Sequence, residues 1–310
     1  MFGHIPPMPR APDTTYRARR TAEMRSHLRK TIIWTVVAIV LFGTGFAIVA
    51  AGRGVVVVLG GTAAFVLIII ACAAYLAWQA AGTRASSTMI SDWAAANGWA
   101  YWGRDTPDGP APEPFESRFD DYMLAHETFP EATPLLRKGT RRYVIDVLAG
   151  TVDGVAVRIA NHCYETTTYN SHGTPHTSYT HHVVALMAQR PKVTPLRLVR
   201  RSRLGKALKG ADDHVAGRGR MKAIDLENQS FNQAFSVRVA DDADMVLVYE
   251  MFDPVLQEHL GDGTVVPGID MVEVEGAWLM VADGGPVTGG NLERIEVMVA
   301  AARWAITTFR

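Results

Sequence analysis

The sequence predicts an α+β protein in two parts: a two-helix transmembrane hairpin, then a cytoplasmic domain with an antiparallel sheet and a C-terminal helix. Three observations predict it. Two charge-free apolar runs, 31–51 and 54–78, lie almost end to end near the N-terminus. β-prone runs follow, joined by links too short for helical crossovers. An apolar stripe at spacings of three and four closes the chain.

The hairpin comes first. Each run exceeds the roughly 20 residues a helix needs to cross about 30 Å of hydrocarbon. Only Gly52 and Arg53 separate them, so the chain is expected to cross and return at once. Residues 1–30 carry Arg10, Arg17, Arg19, Arg20, Arg25, Arg29 and Lys30 against Asp13 and Glu23. The positive-inside rule puts this basic N-terminal segment in the cytoplasm. The expected location is the inner (plasma) membrane, multi-pass, with both termini cytoplasmic. Trp34, Tyr75 and Trp78 would share the cytoplasmic interface as an aromatic belt. A basic start, an apolar run and Val49-Ala50-Ala51 also imitate a signal peptide, but this run is longer than a usual h-region and a second follows directly. Gly43, Gly45, Gly60 and Ala64 offer small surfaces for contact between the two helices. Neither run holds an Asp, Glu, Lys, Arg or His, the usual marks of a transport path.

The expected layout is therefore 1–30 basic segment, 31–79 hairpin and 85–310 cytoplasmic domain. Residues 86–97 read as a helix with Met89, Ile90, Trp93 and Ala94 on one face and Gly98 as its stop. Pro107, Pro110, Pro112 and Pro114 make 103–117 a linker. Tyr143 to Ala149 and Val155 to Tyr164 form a hairpin across Asp153-Gly154. Thr166 to Thr180 reads as a polar loop, and His182 to Met187 as a third strand. Residues 190–222 are strongly basic. Phe231 to Val239 reads as a strand, and Asp253-Pro254 as the cap and first turn of a short helix. Asp270 to Glu275 and Ala277 to Ala282 flank Gly276 as a second hairpin. Leu292, Ile295, Val299, Ala302 and Ile306 mark the closing helix.

Charge bounds the partners. The whole chain balances 31 basic against 31 acidic residues, but beyond residue 84 the count is 22 against 29. A domain of net charge −7 is a poor general nucleic-acid binder, and none is expected as a partner. The two cysteines, Cys72 and Cys163, fall in different parts and form no CxxC motif.

Two constellations carry chemistry. His162, His172, His176, His181 and His182 crowd into 21 residues, and His172 and His176 with Cys163 or Glu165 have the donor types zinc takes. No HExxH or paired CxxC accompanies them, so a solvated hairpin tip is the simpler expectation, with no cofactor. Arg197, Arg200, Arg201, Arg203, Lys206 and Lys209 are interleaved with Leu196, Leu198, Val199, Leu204 and Leu208. That mixture suits contact with anionic lipid headgroups, or a solvated connection. Gly205-Lys206 and Gly217-Arg218-Gly219 lack the rest of a nucleotide loop, and no GxSxG elbow or kinase set occurs.

The run Phe231-Asn232-Gln233-Ala234-Phe235-Ser236-Val237, then Asp253-Pro254-Val255-Leu256, Glu275-Gly276 and a closing helix, resembles a known pattern. Upstream, Val147-Leu148-Ala149-Gly150 and the Tyr- and Thr-rich segment from Tyr164 to Tyr179 fit it as well. The pattern is that of a family of uncharacterised bacterial membrane proteins with an N-terminal transmembrane pair and a cytoplasmic α+β domain. The resemblance covers most of 85–310, and the histidine-rich loop lies outside it. The family has no established activity, so it implies no functional residue. The sequence expectation is thus a membrane-anchored interaction or scaffold domain, with the bilayer, an unidentified protein or a second copy as partners. The alternatives are a membrane-tethered, metal-dependent enzyme and a sensor of an anionic lipid or small molecule.

Overall fold

The computed structural model describes residues 18–22, 24–25, 55–103, 132–139, 142–169, 171, 173–189, 195–201, 221–261 and 269–309. The expected first span, 31–51, and the proline-rich linker lie outside them. The chain divides into two compact units, Met1–Met89 and Ile90–Arg310.

Helix α1 (Val55–Ala96) is 42 residues long, so the helix read over 86–97 continues from the second apolar run as one element. Its stop is local chemistry. Gly98 takes φ 69°, Trp99 N–H bonds Ala94 O at 2.8 Å and Gly98 N–H bonds Ala95 O at 3.4 Å. This pair of bonds is a Schellman motif, which needs a left-handed residue that glycine adopts without strain. Among the residues whose side chains are described, no helix is long and apolar enough to cross a membrane. Side chains 55–70, at the apolar start of α1, fall outside them.

The second unit is built on an antiparallel sheet. Its strands are β1 (Ala100–Trp102), β2 (Arg142–Val152), β3 (Val155–Tyr169), β4 (Pro175–Ala188), β5 (Leu196–Arg200), β6 (Met221–Ile224), β7 (Phe235–Ala240), β8 (Met271–Glu275) and β9 (Trp278–Gly284). Their spatial order is β1-β2-β3-β4-β9-β8-β5-β7-β6. Helices α2 (Gln229–Ala234), α3 (Met245–Met251), α4 (Pro254–Gly261) and α5 (Glu293–Thr308) complete it. Asp153 and Gly154 turn β2 into β3 with φ 50° and 80°, as a type I′ hairpin requires.

Strand alternation gives the sheet two covered faces. On one, Val157, Ile159, Val183, Ala185 and Met187 meet Ile295, Met298 and Ala302 of α5, with Ile90 and Trp93 from the end of α1 in the same core. On the other, Ala160, Tyr164, Val184 and Leu186 pack with Leu135 and Leu136. A chain of aromatic contacts closes the first core: Phe231–Phe235 at 5.5 Å, Phe231–Phe252 and Phe252–Phe309 at 6.0 Å, and Trp304–Phe309 at 5.7 Å.

Three sequence expectations change. Residues 166–180 are mostly strand: β3 and β4 stay paired out to Tyr169↔Pro175. β2 leaves β3 at Tyr164 and β9 leaves β4 at His182, so the hairpin continues as a two-stranded ribbon. Residues 229–234 are a helical turn before strand β7, because Asn228 caps it by accepting from Phe231 N–H at 3.0 Å. Within the basic stretch, 196–200 is strand β5, paired between β7 and β8.

Candidate functional site

Polar side chains gather where the ribbon leaves the sheet, on the α5 side. They begin at a bulge. The β2–β3 register slips between Ile145 and Leu148, and Asp146 takes φ 55° there. A bulge re-aims the side chain it carries, and Asp tolerates the left-handed region better than most residues. The Asp146 carboxylate accepts from Tyr101 Oη at 2.6 Å and from Asn161 Nδ2 at 3.1 Å. Asn161, on β3 and 6% exposed, also clamps the loop before α5. Its Nδ2 donates to Val287 O at 2.9 Å and its Oδ1 accepts from Val287 N–H at 2.6 Å.

Two residues further along the same face, buried Cys163 sits opposite His181, with Sγ 3.8 Å from Nε2. Glu165 follows, buried and paired in register with Tyr179. His181 O accepts from Gly285 N–H at 2.8 Å. On β9, Asp283 accepts from Arg294 Nη2 of α5 at 2.6 Å, and Arg294 also donates to Gly284 O. Asp270 accepts from Gly284 N–H at 3.1 Å. Burial raises the Asp283 pKa; Arg294 opposes that rise and Asp270 adds to it.

Thiol, imidazole and carboxylate are the residue types of a nucleophile, its base and an orienting group. The geometry serves a different end. The thiol is buried in the sheet, where β3 still pairs with β2. Asp146 and Asn161 are committed to Tyr101 and Val287. The row fastens the start of α5 to the base of the ribbon.

The opposite face holds a second polar group. His162 and His182 pair across β3 and β4. Tyr164 lies 5.8 Å from each ring, stacked on His182 at 15°. Lys138 Nζ lies 5.6 Å from the Tyr164 ring. His182 is 2% exposed, and neither of its nitrogens has a hydrogen-bond partner among the described residues. Burial, with Lys138 and His181 nearby, lowers its pKa from 6.5 to about 4.

Strand alternation therefore splits the histidine cluster. His181 faces α5, while His162 and His182 face the other way. His176 sits on the ribbon opposite Thr168, and His172 lies outside the described residues. Among those residues, no three His, Cys, Asp or Glu side chains converge as a metal site.

The basic stretch is split as well. Arg197 pairs with Glu273 at 2.8 Å, the side chains 8% and 3% exposed, and Glu273 also accepts from Leu135 N–H at 2.9 Å. Arg200 Nε donates to Ile269 O at 2.9 Å, with its guanidinium 5.0 Å from the Phe235 ring. Arg201 Nε donates to Phe235 O at 2.9 Å, and Arg201 lies 3.9 Å from Asp225. Arg203, Lys206 and Lys209 lie outside the described residues. Sequence reasoning missed Asp146, Asn161 and the Arg197–Glu273 pair. Glu273 alone among Met271, Val272 and Val274 was the available signal, because a carboxylate in an apolar strand needs a cation.

No protein-family model matches the chain, and no curated protein matches it. Among solved structures, a similar chain is the crystal structure of the mycobacterial trehalose monomycolate transport factor A, TtfA. It is 13% identical at a TM-score of 0.42, over 72% of this chain and 94% of that one. A likeness of that size carries no conclusion about the fold or function of this chain.

Proposed function

We propose that the protein is a membrane-anchored interaction module, held by a helical hairpin whose second arm is the start of α1. One observation carries this reading. The Arg20 guanidinium lies 3.9 Å from the centre of the Trp78 ring. Arg20 precedes the first apolar run and Trp78 ends the second. A chain that crosses and returns brings those two points to one side. A cation over an indole at that level is also what a headgroup interface favours.

Further support comes from α1. Residues 55–78 carry no ionisable side chain except Cys72 and Tyr75. At 1.5 Å per residue they reach about 36 Å, enough for the hydrocarbon. Tyr75 and Trp78 are 62% and 42% exposed, as belt residues are.

The test is cysteine labelling in intact cells on a Cys72→Ser, Cys163→Ser background. Arg53→Cys should react with a membrane-impermeant maleimide, and Ser86→Cys only after lysis. A protected position 53 with a reactive position 86 reverses the topology. Two reactive positions remove the hairpin.

A further inference from the structure

Helices α3 and α4 expose apolar side chains among acidic ones. Val246, Tyr249 and Val255 are 65%, 45% and 59% exposed. The same pair of helices borders an open groove of about 350 Å³, lined by Leu247, Met251 and Leu256, with Glu250, Asp253 and the end of α5 at Thr307 and Thr308. Single exposed apolar residues need no explanation, but three on one helix pair together with a groove lined by Leu247, Met251 and Leu256 mark a candidate interaction surface.

Charge narrows the occupant. Residues 239–261 contain Asp241, Asp242, Asp244, Glu250, Asp253 and Glu258, and no Lys or Arg. Two of the acids have local work: Asp244 caps α3 through Val246 N–H at 2.9 Å, and Asp253 caps α4 through Leu256 N–H at 2.7 Å. Among the described residues, the carboxylates of Asp242, Glu250 and Glu258 make no hydrogen bond or ion pair. Their charges are available to a partner.

From these observations we infer that the α3–α4 face docks a basic amphipathic helix of a partner protein. Apolar side chains of that helix enter the groove at i, i+3 and i+4 spacing, and its Lys or Arg residues meet Glu250 at the groove and Glu258 further along α4. Met251 lining the groove suits this mode, since its unbranched thioether adapts to differing side chains. A bilayer is the poorer occupant. Its cytoplasmic surface is anionic and repels these carboxylates. The inference deepens the interaction-module reading, yet it rests on α3 and α4 alone.

The test uses the full chain in phosphatidylcholine nanodiscs and a synthetic leucine–lysine helix bearing one benzophenone. Photocrosslinks, mapped by mass spectrometry, should fall on 245–258, with Met251 prominent. A leucine–glutamate helix should give at least tenfold less crosslink there. The double variant Glu250→Lys, Glu258→Lys should lower the yield from the basic helix at least tenfold, its melting temperature showing that it remains folded. Crosslinks elsewhere on the chain, or equal yields from the acidic helix or the double variant, overturn the inference. A chain that stays out of the discs fails the anchor reading instead. The same crosslinking in plain buffer then decides this one.

Discussion

His181 and His182 are neighbours in sequence and opposites in environment. His181 is exposed on the α5 side of β4, while His182 is 2% exposed among Tyr164, His162 and the approach of Lys138. No carboxylate is among the groups that set its pKa of about 4. The fold therefore favours the neutral ring. The unfolded chain, with an ordinary value near 6.5, binds the proton more readily. Stability from this residue is complete above about pH 6.5 and is lost as pH falls towards 4, by on the order of 3 kcal/mol. Asp283 acts with the opposite sign, since its raised pKa means that protonation relieves the fold. In His182→Phe the aromatic stack with Tyr164 is retained and the titration removed. Urea midpoints at pH 7.5 and 4.5 should therefore differ less in the variant than in the parent. Equal pH slopes in both would show that His182 protonates in the fold at no cost.

Strand β5 shows which elements the sequence revealed and which it concealed. Hairpins at Asp153-Gly154 and Gly276, the α4 start at Asp253-Pro254 and the α5 stripe were all legible, because turn and cap chemistry is local. β5 was hidden by its charges: Leu196, Arg197, Leu198, Val199 and Arg200 read as part of a basic connection. Arg197 can sit in the middle of a sheet only because Glu273 stands directly opposite on β8, a pairing across 76 positions that no window on the sequence contains. The ribbon was hidden differently. Its Thr, Tyr, Ser and His residues turn to water on both faces beyond Thr167, so period-two alternation has nothing buried to report there. The polar row at Asp146, Asn161 and Cys163 depends on a bulge and was invisible for the same non-local reason. The buried pair gives a test at this scale. Glu273→Ala strands the Arg197 charge and the Leu135 N–H, and should cost about 3–5 kcal/mol by chemical denaturation. The double variant Arg197→Met, Glu273→Leu should recover most of that loss, as apolar replacement of a buried pair does. A double variant as unstable as Glu273→Ala would mean that the pair does more than satisfy itself.

At the scale of the whole molecule, the question is where the folded domain begins. Every residue in its two buried cores lies at Ile90 or beyond. The last turns of α1 therefore serve the domain, whatever the earlier turns meet. Ile90 is fully buried, Trp93 is 9% exposed and Ala94 is 1% exposed. Trp93 lies 6.0 Å from Trp99, and the side chain of Asn97 donates to Trp93 O at 2.7 Å. A fragment of 85–310 keeps all of these contacts. It should fold cooperatively in detergent-free buffer, with a sharp thermal transition by circular dichroism and dispersed amide resonances. A fragment of 98–310 loses Ile90 and Trp93 and leaves their places in the core empty. Removing two large core side chains of this kind costs about 5 kcal/mol or more, comparable to the whole stability of a domain this size. The shorter fragment should therefore show a broad transition or none. Equal stability of the two fragments would make the end of α1 dispensable to the core. Failure of both would mean that the domain needs residues before 85 to fold.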